Sequence, residues 1–294
     1  MRGVAAAGDP PASSHAAEPA ALPVTAGTYG VEVGEEVITG WHSHDLHQVE
    51  YAFEGVVEVE TATARYLLPP QQAVWIPAGV EHCSTLTRVK AVSVFFDPSM
   101  NIASDERVRV LAAAPVIREM ILYARRWPIG RPASDPVADG FFATLAELVV
   151  EWLDNELPLC LPAARDPLVA AAMRSTEERL DRATLPDVCR AVGTSERTLR
   201  RAFLSDVGMT WREYLHASRL LRAVALLSAG NQTLLSVAHA VGFESASTFT
   251  RAFTRYIGQT PSAYRQRVRT VPTATMPDAL PTQTPPMLRD RSRW

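Results

Sequence analysis

A chain of 294 residues, 47% hydrophobic and 21% charged, has room for about two domains of roughly 150 residues and the composition of an ordinary water-soluble fold. It contains no apolar run near the roughly 18 residues that a membrane-spanning helix needs, and its three widely spaced cysteines, Cys83, Cys160 and Cys189, make no disulfide framework; a reducing compartment, the cytoplasm, is expected. The net charge of −3 divides by region. Residues 1–165 hold 11 basic against 21 acidic residues and residues 166–269 hold 15 arginines against 9 acidic residues, so only the second part suits a polyanion.

Residues 1–27 are rich in Ala and Pro, lack the apolar core of a secretion signal, and read as a disordered leader. Residues 28–98 alternate apolar and polar side chains, as in GVVEVETATARYLLP (Gly55 to Pro69), which predicts short antiparallel strands of a β-barrel or sandwich. Residues 99–156 change to helical spacing, first through Val108, Leu111, Val116, Met120 and Tyr123, with Pro115 opening the main helix. Phe141, Leu145, Leu148, Val149 and Trp152 continue it, and both stripes suit packing on the barrel and dimerisation. The proline-rich residues 157–165 read as an interdomain linker, residues 166–270 as helix almost throughout, and residues 271–294 as a disordered tail.

Within residues 166–270 an Arg-Ala-Phe triplet recurs after 50 residues, and the flanking pattern recurs with it. Ser195 pairs with Ser245, Thr198 with Thr248, Gly208 with Gly258, Thr210 with Thr260 and Tyr214 with Tyr264. In the first copy Thr184 caps a helix, Gly193 makes a left-handed turn, Ser195 caps a second helix, and Leu199 and Phe203 face inward. The second copy repeats this with Val237, Ala238 and Val241 inward, Gly242 at the turn, Ser245 as cap, and Phe249 and Phe253 inward. Each copy is a helix-turn-helix. Arg197, Thr198, Arg200 and Arg201 face outward from the first, and Ser247, Thr250, Arg251 and Arg255 from the second. Arginines so presented reach guanine O6 and N7, or phosphates. The helix between the copies, Trp211 to Ser228, is a rod of about 27 Å, close to the roughly 34 Å between successive major grooves.

The segments GTSERTLRRAF, GMTWREYLHASRLLRAVALL and AHAVGFESASTFTRAFTRYIGQTPSAYR resemble the DNA-binding domain of AraC/XylS-family transcriptional regulators, over about a third of the chain. The resemblance implies seven helices in two subdomains, with adjacent major grooves read by the helices that begin near Ser195 and Ser245. It places the family's usual base-reading sites on Arg197, Arg200 and Arg201 and on Ser247, Thr250 and Arg251. Cys189 departs from the small alanine more usual there.

WHSHDLHQVEYAFEGVVEV (Trp41 to Val59) and PAGVEH (Pro77 to His82) resemble the cupin barrel that often precedes such domains. Alternate positions of a strand share a face, so His42, His44 and Gln48 are expected to point together, with His82 arriving from another strand. Converging imidazoles suit a divalent transition metal. The resemblance implies a glutamate ligand four or five residues after the second histidine, where this chain has Gln48 and Val49; Glu50 comes one step late. A neutral glutamine weakens a metal site. The preferred reading requires no cofactor and treats these side chains as a metal-free effector pocket, with a divalent metal in the barrel as the alternative. Trp41, Trp75 and Phe53 are expected in the core or pocket, and His47, on the opposite strand face, in solvent.

These expectations combine into an α+β protein, a cupin-like β-barrel and helical segment followed by an all-α DNA-binding domain. Its function would be sequence-specific transcription regulation under a small-molecule effector, with no enzymatic activity. The partners implied are double-stranded promoter DNA, RNA polymerase, the effector and a second copy of the chain, with no membrane. Two other classes fit less well: a cupin metalloenzyme carried on a DNA-binding module, and an effector-independent DNA binder.

Overall fold

The computed structural model describes residues 26–100, 102, 107–131, 135–230 and 232–270. The leader expected at 1–27 lies outside these except for Ala26 and Gly27, which open the first strand, and the tail at 271–294 lies wholly outside.

The first part is one antiparallel sheet built from β1 (Ala26–Glu32), β2 (Glu36–Ile38), β3 (His47–Thr61), β4 (Ala64–Leu68), β5 (Gln72–Ile76), β6 (His82–Phe96), β7 (Arg109–Ala112), β8 (Glu156–Leu157) and β9 (Cys160–Pro162). Its hydrogen-bonded path runs β1-β6-β3-β5-β7-β8, with β2 also on β6 and β4 joining β3 to β9. The path does not close. β1 and β8 end it without pairing to each other, so the expected barrel is an open sheet among the described residues. Its spine is the pair β3 and β6, whose register shifts on either side of Glu54.

Two helices, α1 (Pro115–Ala124) and α2 (Pro136–Trp152), cover one face of the sheet. Ile117, Ile121, Phe142, Leu145 and Val149 pack there against Val49, Tyr51, Trp75, Val94 and Phe96. Burial of both faces explains why His47 to Ala52 are buried at every position, whereas Val57 to Thr61 alternate.

Two expectations fail. Val108 and Leu111 were read as part of a helix, yet Arg109–Ala112 is a strand paired with β5 and β8. A short apolar run carries no period that separates strand from helix. The expected linker at 157–165 contains β9, which pairs with Ala64, Arg65 and Tyr66 of β4. Pro158 lies between the short strands and Pro162 at the end of an edge strand, where no ladder N–H is required.

Seven helices follow: α3 (Pro167–Glu177), α4 (Leu185–Val192), α5 (Glu196–Val207), α6 (Trp211–Ala229), α7 (Leu234–Ala240), α8 (Ala246–Ile257) and α9 (Pro261–Thr270). α6 is the central rod. It begins with a capping box between Thr210 and Glu213 that the sequence reading missed. Leu220, Ala223, Val224 and Leu227 of α6 are buried in a core that continues into Val57, Val59 and Leu68 of the sheet. Among the described residues no helix is long and apolar enough to cross a membrane, and the three cysteines are free thiols.

Candidate nucleic-acid interface

Each duplicated copy folds as the local signals require. α4 ends at Gly193 with φ +68°, and Ser195 then accepts the Thr198 backbone N–H at 3.2 Å to start α5. In the second copy Gly242 turns with φ +80°, and Ser245 accepts the Thr248 N–H at 3.3 Å to start α8. Leu199 and Phe203 of α5, and Phe249 and Phe253 of α8, are fully buried. The Phe203 and Tyr214 rings lie 5.7 Å apart, as do the Phe253 and Tyr264 rings, so the duplication persists in packing detail.

The inward faces leave Arg197, Arg200 and Arg201 exposed on α5, and Ser247, Arg251 and Arg255 exposed on α8. Arg200 Nη2 donates to Glu196 Oε2 at 2.6 Å in an exposed i,i+4 pair. Such pairs contribute only about 0.3–0.5 kcal/mol, so a phosphate or guanine can replace the carboxylate. Thr198 and Thr250 are half-buried. The Thr198 hydroxyl sits 2.9 Å from Ser195 Oγ, closing the helix cap instead of reaching outward. Ser247 Oγ lies 3.1 Å from Ser245 Oγ and remains on the surface.

Helical spacing marks the exposed arginines, but not the joint that holds the two copies. Arg219 of α6 donates from Nε to the Leu180 carbonyl at 2.9 Å and from Nη2 to the Asp181 carbonyl at 3.1 Å. Gly242 packs on this joint, leaving no room for a side chain. The glycine was legible as a turn; its close approach to a segment 61 positions earlier was not.

In the sheet, His42, His44 and His82 do converge, though not from a shared strand face as expected. His42 and His44 lie in the irregular approach to β3, where His42 makes an isolated bridge to His82. The His42 and His82 rings are 4.3 Å apart, and His44 and His82 are 5.3 Å apart. Gln48 joins them: its Oε1 lies 2.8 Å from His44 Nε2, and its amide nitrogen donates to Ser93 Oγ at 2.9 Å. Burial pushes the His44 pKa down and that of His82 down to about 4, so both rings are neutral near pH 7. His44 Nδ1 lies 2.6 Å from the Leu46 carbonyl and so carries the ring's one proton. Glu50 is buried beside Gln48, and burial raises its pKa to about 7.

Among the described residues no group of three or more His, Cys, Asp or Glu side chains is arranged to hold a metal ion. His44 Nε2 is occupied by Gln48, and the one buried carboxyl resists ionisation. Two further expectations are corrected: His47 is buried, stacked 4.9 Å from Trp75 and accepting the Ala78 N–H at 3.0 Å, whereas Trp41 is 53% exposed. His47 stacks on Trp75, which itself packs in the core beneath α1 and α2.

A helix-turn-helix domain family matches residues 188–267, from α4 into α9. The HTH-type transcriptional regulator NimR of Escherichia coli (strain K12) is 28% identical over 254 residues, covering 83% of this chain and 89% of that protein. The HTH-type transcriptional regulator RipA of Corynebacterium glutamicum is 38% identical over 104 residues, 35% of this chain, and the match spans 31% of RipA. The HTH-type transcriptional activator RhaR of Klebsiella pneumoniae is 36% identical over 107 residues, 36% of this chain, and the match spans 37% of RhaR. Among solved structures, ToxT from Vibrio cholerae O395 is 15% identical, with a TM-score of 0.37, over 84% of this chain and 98% of that chain. With two matched helix-turn-helix units on a basic helical domain, and transcription regulators as the relatives of that domain and of most of the chain, the protein is a DNA-binding transcription regulator whose helical domain is similar to the AraC type.

Proposed function

We propose that α5 and α8 enter successive major grooves on one side of a promoter duplex, and that the sheet receives a small-molecule effector. The observation that carries the first part is the pair of equivalent recognition helices joined by α6, whose 19 residues span about 28 Å. That is close to the roughly 34 Å between successive grooves. Arg197, Arg200 and Arg201 would read or hold DNA from α5, and Ser247, Thr250, Arg251 and Arg255 from α8. Arg201→Ala and Arg251→Ala should each weaken binding to the specific site by about 1–3 kcal/mol. Selected-site sequencing should place their altered preferences about one helical turn apart. Changes at the same base pairs would rule out the two-groove arrangement.

The buried polar set of His44, Gln48, Glu50 and Ser93, flanked by His42 and His82, supports an effector pocket, because it supplies hydrogen-bonding groups in an otherwise apolar sheet face. The pocket works by binding alone, without metal or catalysis. One tightly held transition metal per purified chain, lost in His44→Ala, would overturn this. Exposed Val116 and Tyr123 of α1 and Val137 and Val150 of α2 support pairing with a second copy. RNA polymerase at the promoter and a cytoplasmic location complete the reading.

A further inference from the structure

We propose that the cleft between the sheet and the helical domain is a second ligand site, built for a small organic cation, whose occupant acts by taking Glu177 from Arg65. Strands β4 and β9 on one side, and α3, α6 and α7 on the other, border a cleft of about 410 Å³, within the roughly 300–1,000 Å³ typical of small-molecule sites. Leu67, Leu161 and Leu221 give it apolar walls.

Its charges are unbalanced. The carboxylates of Glu58, Glu177, Glu178 and Asp181 line it against the guanidiniums of Arg65 and Arg222. Arg65 is already committed: it is ion-paired with Glu177 and has Glu58 beside it. Arg219 stands beside Asp181, so four carboxylates face three guanidiniums, Arg65, Arg222 and Arg219, an excess of one negative charge. Ser218, 4% exposed, belongs to the same wall, with its hydroxyl beside the Tyr214 phenol. An alkylammonium or alkylguanidinium matches this set, with its stem on the leucines, its charge among the carboxylates, and a donor for Ser218 Oγ. A carboxylate of the same size meets net repulsion.

Glu177 also accepts the Tyr214 hydroxyl at 2.5 Å, so Arg65, Glu177 and Tyr214 form a chain from the sheet to the rod that carries both recognition helices. A cation seated on Glu177 replaces the sheet's half of that chain and loosens the sheet from α6. The consequence for DNA rests on the regulator reading above; the binding does not.

The test is titration calorimetry on the full chain at low salt, with 1,4-diaminobutane, 1,4-butanediol and succinate as length-matched probes. Saturable binding is expected for the diamine alone. Glu178→Gln with Asp181→Asn should weaken it by about tenfold, and Arg222→Glu should strengthen it, about 1.4 kcal/mol in each direction. All three positions are exposed, so the fold is retained. The proposal is overturned if succinate or the diol binds as well, if the diamine affinity ignores these substitutions, or if no saturable diamine binding is seen. A gel shift on the same preparation separates the two readings: DNA binding that persists while diamine binding fails sinks the cleft alone, and a preparation that binds no duplex DNA sinks the groove-reading model instead.

Discussion

At Gly242 a β-carbon would stand 2.2 Å from the Asp181 carbonyl oxygen and 2.7 Å from Arg219 Cζ, with φ at +80°. Gly193, the equivalent turn in the first unit, has φ +68° and open space around it. Both positions disfavour a side chain, but only one also forbids its volume. Gly193→Ala should cost about 1–2 kcal/mol from left-handed strain, and Gly242→Ala roughly 3 kcal/mol or more once overpacking is added. Urea denaturation of the two variants checks this, and equal losses would mean that the joint between the units yields. Glu50 gives a pH signature. Its pKa of about 7, raised by burial from 4.5, means the folded chain keeps a proton that the unfolded chain releases between those values. The stability it contributes is therefore complete below about pH 4.5 and lost as pH rises through 7, at about 1.4 kcal/mol per pH unit. Glu50→Gln should gain on the parent by a few kcal/mol between pH 5 and 8. The depressed pKa values of His44 and His82 work the other way, adding stability as pH rises toward 6.5, and cancel in the comparison. Denaturation curves that move in parallel from pH 5 to 8 would show that Glu50 does not titrate there.

The recognition helices depend on their first turns. Ser195 and Ser245 each satisfy one backbone N–H that the helix cannot, and each also engages the hydroxyl of the threonine three residues on. Ser195→Ala and Ser245→Ala should each cost about 1 kcal/mol of domain stability. Thermal unfolding measures it, and an unchanged midpoint for either would mean that the cap is not holding the helix. These caps, the turn glycines and the inward Leu and Phe pairs were legible because each signal lies within a few residues of the backbone it controls. The strands at Arg109–Ala112 and Cys160–Pro162 were not, since their partners β5 and β4 come from distant stretches of chain. For the same reason the convergence of His42, His44 and His82 was anticipated from motif likeness while the supporting strand geometry was not.

At the scale of the whole molecule, the basic helical domain hangs from an acidic sheet by few polar ties. Arg65 meets Glu177 across 112 positions of sequence, and Trp211 and Tyr214 lock α6 to the end of α3 within the helical domain itself. Residues 166–270 contain both recognition helices, their rod and its locks. This fragment alone should bind duplex DNA, with affinity falling steeply between about 50 and 200 mM salt as arginine contacts release counterions. Gel-shift titration at the two concentrations decides it, and an affinity indifferent to salt would remove the arginine contacts from the account.

What the amino-acid sequence determined by itself is the helical domain: two copies of one unit, their caps, turns and buried faces, the rod between them, and the arginines left outside. Helical periodicity and capping act within one or two turns, so a single chain read in order displays them. Tertiary structure alone decided that the sheet stays open, that His47 is covered and Trp41 is not, and that carboxylates from both domains meet in one cleft. Strand pairing, burial of a given face and the charge of a cavity are set by residues far apart in sequence, whose proximity no local pattern records.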